Sequence, residues 1–175
     1  MAAQHFCSAR GLYEGLTEPR SPSRCGNPFF KLQCAEPLKG YLSPMFSHIM
    51  LGTNDLAAAR RFYDAVMPTL GYACEDAGES CAGYGVKEHI GSGQKCLWLG
   101  LPADGEAATT GNGTNVALLA QSREQVDSFY SAALAAGASD EGAPGLRDVH
   151  PRFYAAYVRD PDGHKLVVVC HQAEG

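Results

Sequence analysis

The chain repeats itself, and that repeat limits the folds open to it more than any other feature. His48-Ile-Met-Leu-Gly-Thr-Asn-Asp55 lies over Asn115-Val-Ala-Leu-Leu-Ala-Gln-Ser122 at an offset of 67 residues, and Phe62-Tyr63-Asp64-Ala65 lies over Phe129-Tyr130-Ser131-Ala132. Only four of the 18 pairs from His48 to Ala65 are identical. The repeat therefore rests on structural signals that recur in register.

Each copy begins as an apolar strand and turns into a helix. Asp55 and Ser122 stand where a helix needs an N-cap, and Ser122 with Gln125 has the spacing of a capping box. Behind the caps, Leu56, Ala59, Phe62, Tyr63 and Val66 recur at three-to-four spacing, as do Val126, Phe129, Tyr130, Ala133 and Leu134. That spacing gives each helix one apolar face, whose Phe-Tyr pair reads as core packing. Gly71 and Gly137 follow the helices, where a left-handed C′ residue favours glycine, and Pro68 is placed to end the first helix early. Three strand-like runs follow in each copy: 72–77, 81–89 and 95–101 in the first, 138–143, 153–158 and 165–170 in the second. Asp160-Pro161-Asp162-Gly163 has the turn chemistry to join the last two as a hairpin. The predicted fold is α+β: two βαβββ modules, about 45–103 and 113–172, within one domain spanning 45–175.

Residues 1–44 read as an irregular extension, since they carry five of the ten prolines and no sustained period. The rest carries 9 basic and 16 acidic side chains within a formal net charge of −5. That balance removes the electrostatic drive for nucleic-acid binding. Apolar runs such as Leu166 to Cys170 fall far short of the roughly 20 residues of a membrane-spanning helix. Seven cysteines without a CxxC pair, and no apolar signal core at the start, suit a reducing compartment. A cytoplasmic protein is expected, without nucleic-acid or membrane partners.

The two βαβββ units, the opening "LGTNDL…FYDAV" and the closing "YVRDPDGHKL" together resemble the vicinal oxygen chelate superfamily, which groups glyoxalase I, extradiol dioxygenases, fosfomycin-modifying enzymes and bleomycin-resistance proteins. The resemblance covers about residues 45–172. It implies that curved mixed sheets of the paired modules form a cup-shaped cavity. Metal-dependent members place four ligands on the first and last strands of both modules. Carried over by position, those places fall on His48 and Asn115, and, four residues after the turn glycines Gly93 and Gly163, on Leu97 and Val167. His48 matches the family's histidine, Asn115 departs from its histidine or glutamine, and the two aliphatics replace its carboxylates.

Leucine and valine donate nothing to a divalent ion, which needs three or four protein donors in a zinc site. The expectation is no cofactor, with a divalent metal recruited by His48 as the alternative. His48 itself is open to three readings: a hydrogen-bonded core residue, a wall of a pocket, or a metal ligand lacking companions. Strand alternation places Met50 with His48, Leu99 with Leu97, Ala117 with Asn115, and Val169 and His171 with Val167, leaving Trp98 and Val168 to face the helices or a partner subunit. His150, before Pro151, is expected in a loop at the cup's mouth. These residues predict a small-molecule binder with an apolar cup, and a homodimer is expected as in many family members. The alternative is a glyoxalase-like lyase or isomerase, or a dioxygenase-type enzyme, using His48 as acid or base.

Overall fold

A computed structural model describes residues 46–87 and 95–173; the expectations for the extension 1–44 and for residues 88–89 lie outside the described residues. The first module runs β1 (Ile49–Gly52), α1 (Leu56–Val66), a 3-10 turn (Met67–Leu70), β2 (Tyr72–Ala77), β3 (Cys81–Val86) and β4 (Lys95–Gly100). The second runs β5 (Val116–Leu119), α2 (Arg123–Ala135), β6 (Ser139–Leu146), β7 (Tyr154–Arg159) and β8 (Lys165–Cys170). Each forms a four-stranded mixed sheet, in the orders β1-β4-β3-β2 and β5-β8-β7-β6. The first strand of each module lies parallel to the last, and the other pairs are antiparallel. The repeat is therefore a repeat of topology.

The predicted local signals act as chemistry requires. Asp55 accepts the Ala58 amide at 2.9 Å, and Ser122 Oγ accepts that of Gln125 at 3.3 Å. Gln125 Oε1 reaches back to accept the amide of Gln121, the residue before the N-cap, at 2.7 Å, so the return bond falls one residue outside the standard capping box. Pro68 sits inside the 3-10 turn that succeeds α1, and Gly71 closes it at φ 83°. That tight exit carries Met67 and Leu70 into the interior, where both are buried.

Phe62, Tyr63, Phe129, Val126, Leu97, Leu99, Leu166 and Val168 belong to one continuous core between the helices and one face of each sheet. Ala155, Val167 and Val169 form a smaller cluster on the opposite face of the second sheet, with Phe153 and Tyr157 packed against it. Among the described residues, two polar links, one buried and one part-buried, join the modules. The Tyr63 hydroxyl donates to Asp160 Oδ2 at 2.8 Å, and His164 Nε2 donates to the Gly52 carbonyl at 2.7 Å.

Candidate functional site

The last-strand register differs from the expectation in the first module. Ile49 pairs with Leu97, Met50 with Trp98 and Leu51 with Leu99. Leu51, Leu97 and Leu99 lie in the helix-facing core. Leu97 and Leu99 are thus not on the face of His48 and Met50; Trp98 is, in register with Gly83, which has no side chain to oppose the indole. In the second module Ala117 pairs with Val167 and Leu119 with Val169, on the face opposite the core as anticipated. The place equivalent to Val167 is therefore Trp98. Counting from the turn glycines failed because the β3–β4 ladder shifts register between Tyr84 and Gly85, which pair with Leu97 and Lys95 and leave Cys96 as an extra residue, whereas β7–β8 pairs without a shift. A one-residue slip moves every side chain to the other face.

The corrected pair is as unsuited to a cation as the expected one. An indole N–H only donates and a valine offers nothing, so Trp98 and Val167 do not fit the family's metal. Among the described residues, no three His, Cys, Asp or Glu side chains gather in a way that could hold an ion.

The end of β1 is bonded by His164, just before β8, which runs parallel to β5. The start of β1 shares a cavity with Ala117, Leu118 and Leu119 of β5, so the two first strands run in opposite senses along the seam between the sheets. One end is held by His164 on Gly52. At the other end a cavity of about 190 Å³ opens, lined by Phe46, Ser47, His48 and Ile49, by Met67, Leu70 and Tyr72, by Cys96 and Leu97, and by Ala117, Leu118 and Leu119. Of the predicted residues, His48, Leu97 and Ala117 meet here. Asn115 is exposed at the far end of β5 and does not join His48. Met50 is 55% exposed, with its methyl over Gly100. Val167 and Val169 lie in the smaller cluster, next in register to Ala117 and Leu119. His150 and His171 meet each other, 2.9 Å apart, at the end of β8.

His48 is exposed, with Nδ1 2.8 Å from Ser47 Oγ. The buried-core reading of this histidine is thereby overturned. Met67, Leu70, Tyr72 and Cys96 escaped sequence reasoning as lining; the proline break after α1 was the signal for the first two. Burial pushes the Cys96 thiol above its ordinary pKa, and the thiol donates weakly to the Tyr84 carbonyl at 3.5 Å. A protonated thiol is a poor nucleophile. The part of the disulfide-reagent reaction that disappears in Cys96→Ser should therefore run slower at neutral pH than with free glutathione, and accelerate as pH rises. Colorimetric thiol titration measures it.

The family model described as Glyoxalase/Bleomycin resistance protein/Dioxygenase superfamily matches residues 45–168. A solved glyoxalase/bleomycin resistance protein from Albidiferax ferrireducens T118 is similar at 39% identity and a TM-score of 0.65, over 74% of this chain and 100% of that one. A glyoxalase-related enzyme from Fulvimarina pelagi is 23% identical, with a TM-score of 0.55, over 71% and 86% of the two chains. The fosfomycin resistance protein FosX from Mesorhizobium loti is 14% identical, with a TM-score of 0.52, over 75% and 95%. These last two likenesses concern the fold alone. No curated protein matches the chain. Among the described residues, no helix is long and apolar enough to cross a membrane.

Proposed function

Because this chain belongs to the glyoxalase/bleomycin resistance protein/dioxygenase superfamily, we propose that it binds a small organic molecule in the seam cavity without the family's conventional metal centre. The observation that carries this reading is the lining: aliphatic and aromatic walls around one imidazole, beside places where Trp98 and Val167 replace carboxylates. Apolar walls with few polar handles suit small-molecule recognition. The volume lies below the roughly 300–1,000 Å³ of drug-sized sites. The guest is therefore compact, or enters by one end, with His48 bonding its polar group. In this reading the protein acts in the cytoplasm as a homodimer, whose contact covers the exposed Met50 on the outer face of the first sheet.

Three measurements on purified protein test the proposal. Elemental analysis should find no stoichiometric zinc, nickel or iron, and a hemithioacetal should not turn over. Fluorescence titration with 2-naphthol should show saturable binding. Ala117→Trp, which places an indole in the cavity, should weaken that binding by about tenfold or more, while His48→Ala, losing one hydrogen bond, should weaken it by about two- to tenfold. Stoichiometric metal together with hemithioacetal turnover lost in His48→Ala would establish the enzyme reading instead.

A further inference from the structure

The connection 147–153 between β6 and β7 is fastened at His150. His150 Nε2 lies 2.9 Å from His171 Nδ1, and His150 Nδ1 lies 3.1 Å from the Arg152 amide nitrogen. The two rings are 24° from parallel, with centroids 5.0 Å apart. With nitrogens that close, this is a bond between ring edges rather than a face-to-face stack. A backbone N–H can only donate, so His150 Nδ1 carries no proton. The neutral ring then carries its proton on Nε2 and donates it to His171 Nδ1, which leaves the proton of His171 on its own Nε2. Each imidazole is thus neutral and held in one tautomer.

Such a pair has no room for another proton. Protonating His171 Nδ1 turns it into a donor that opposes His150 Nε2–H, unless His150 shifts its own proton to Nδ1. There it would oppose the Arg152 amide. Either way one of the two hydrogen bonds holding His150 is lost. A transition metal fits no better, because a neutral imidazole bound through Nε2 carries its proton on Nδ1, against the same amide.

The latch holds a lid. Phe153 meets both imidazoles edge-on, at 5.5 and 5.4 Å between centroids, and packs against Ala155, Val167 and Val169. Val167 and Val169 are only 4% and 5% exposed and continue, in register, from Ala117 and Leu119 of the cavity lining. The charged groups on the connection are Arg147, Asp148 and Arg152; Arg147 turns to the Tyr157 ring at 5.2 Å. Arg123 and Asp127 of α2 lie on the other face of the sheet, around Tyr154. Burial foremost, then His150 and Arg152, hold the His171 pKa below its ordinary value, so the His171 ring stays neutral at neutral pH.

We propose that His150 and His171 form an acid-released latch that keeps Phe153 over the Val167–Val169 strip, and that proton uptake frees the connection and extends the seam cavity along the second sheet. The latch stands whether or not the cavity takes the guest proposed above. Amide exchange by NMR on the whole protein tests it. Corrected for intrinsic rates, protection of the Arg152 amide should fall by about tenfold between about pH 7.5 and pH 5, while the Ala156 and Val168 amides keep theirs. In His150→Asn, whose side-chain oxygen can take the same amide in an Asx turn without titrating, protection should not change with pH. Ring nitrogen shifts should show His150 protonated on Nε2 at neutral pH. A proton on Nδ1, constant protection in the native chain, or the same acid loss in His150→Asn would each overturn the proposal.

Discussion

Truncating Phe129 to alanine should cost about 3–5 kcal/mol of folding free energy, the range for a large aromatic removed from a packed interior. Phe129 is fully buried in α2, and the cluster around it contains Phe62, Tyr63, Leu97 and Leu99 of the first module. If the modules share that core energetically, the loss is felt in both. Trp98, the only tryptophan, sits in β4 of the first module and reports the consequence from the other half. Urea unfolding followed by its fluorescence should shift to a lower midpoint in Phe129→Ala, coincident with circular dichroism. A tryptophan transition left unmoved would mean two cores that only touch.

Replacing Asp160 by alanine should be the second most damaging change, at about 2–4 kcal/mol. Asp160 is 4% exposed and accepts two bonds, from the Tyr63 hydroxyl and from the His164 amide, each at 2.8 Å. Alanine leaves two buried donors without an acceptor, and each such group costs about 1–3 kcal/mol. Asparagine keeps the shape and an acceptor, so Asp160→Asn should cost less at neutral pH. Burial, working against the bond from Tyr63, leaves the Asp160 carboxyl above its ordinary pKa. The folded state then holds a proton over an interval in which the unfolded chain has released it. Its contribution is present in full below the unfolded value of about 3.9 and is lost as pH rises through the folded value. The native protein should therefore gain stability relative to Asp160→Asn as pH falls from about 7 to 4. Urea midpoints of both proteins across that range measure the difference, and a native advantage growing toward neutrality would contradict it.

Much of the fold was legible because its signals are local. The caps at Asp55 and Ser122, the proline break at Pro68, the glycine at 71 and the Asp160–Gly163 turn each depend on neighbours within a few residues. The chain carries them whatever it packs against. The second sheet also came out right in register, since a short turn leads directly into Lys165–Cys170. The first did not, because the β3–β4 ladder takes up an extra residue at Cys96 that no turn or cap in the sequence marks, and Trp98 rather than Leu97 reached the outer face. His48 and Asn115, alike by position, were drawn together by the repeat and are separated by the fold. β1 and β5 run oppositely, so their equivalent ends point apart.

By itself, the amino-acid order determined the two βαβββ units, their helix faces and the want of oxygen donors at the places where the resemblance expects carboxylates, since neither Leu97 nor its neighbour Trp98, nor Val167, carries a side-chain oxygen. Only the tertiary structure decided which side chains share a space. Packing the helices into one core sets how the sheets meet, which brings Tyr63 to Asp160 and puts His48 and Leu118 around one cavity, while the pairing of β7 with β8 inside the second sheet brings His150 to His171. The two hydrogen-bonded pairs join residues 97 and 21 positions apart, and the repeat, which reports the topology of each module, does not say which side chains touch across such separations.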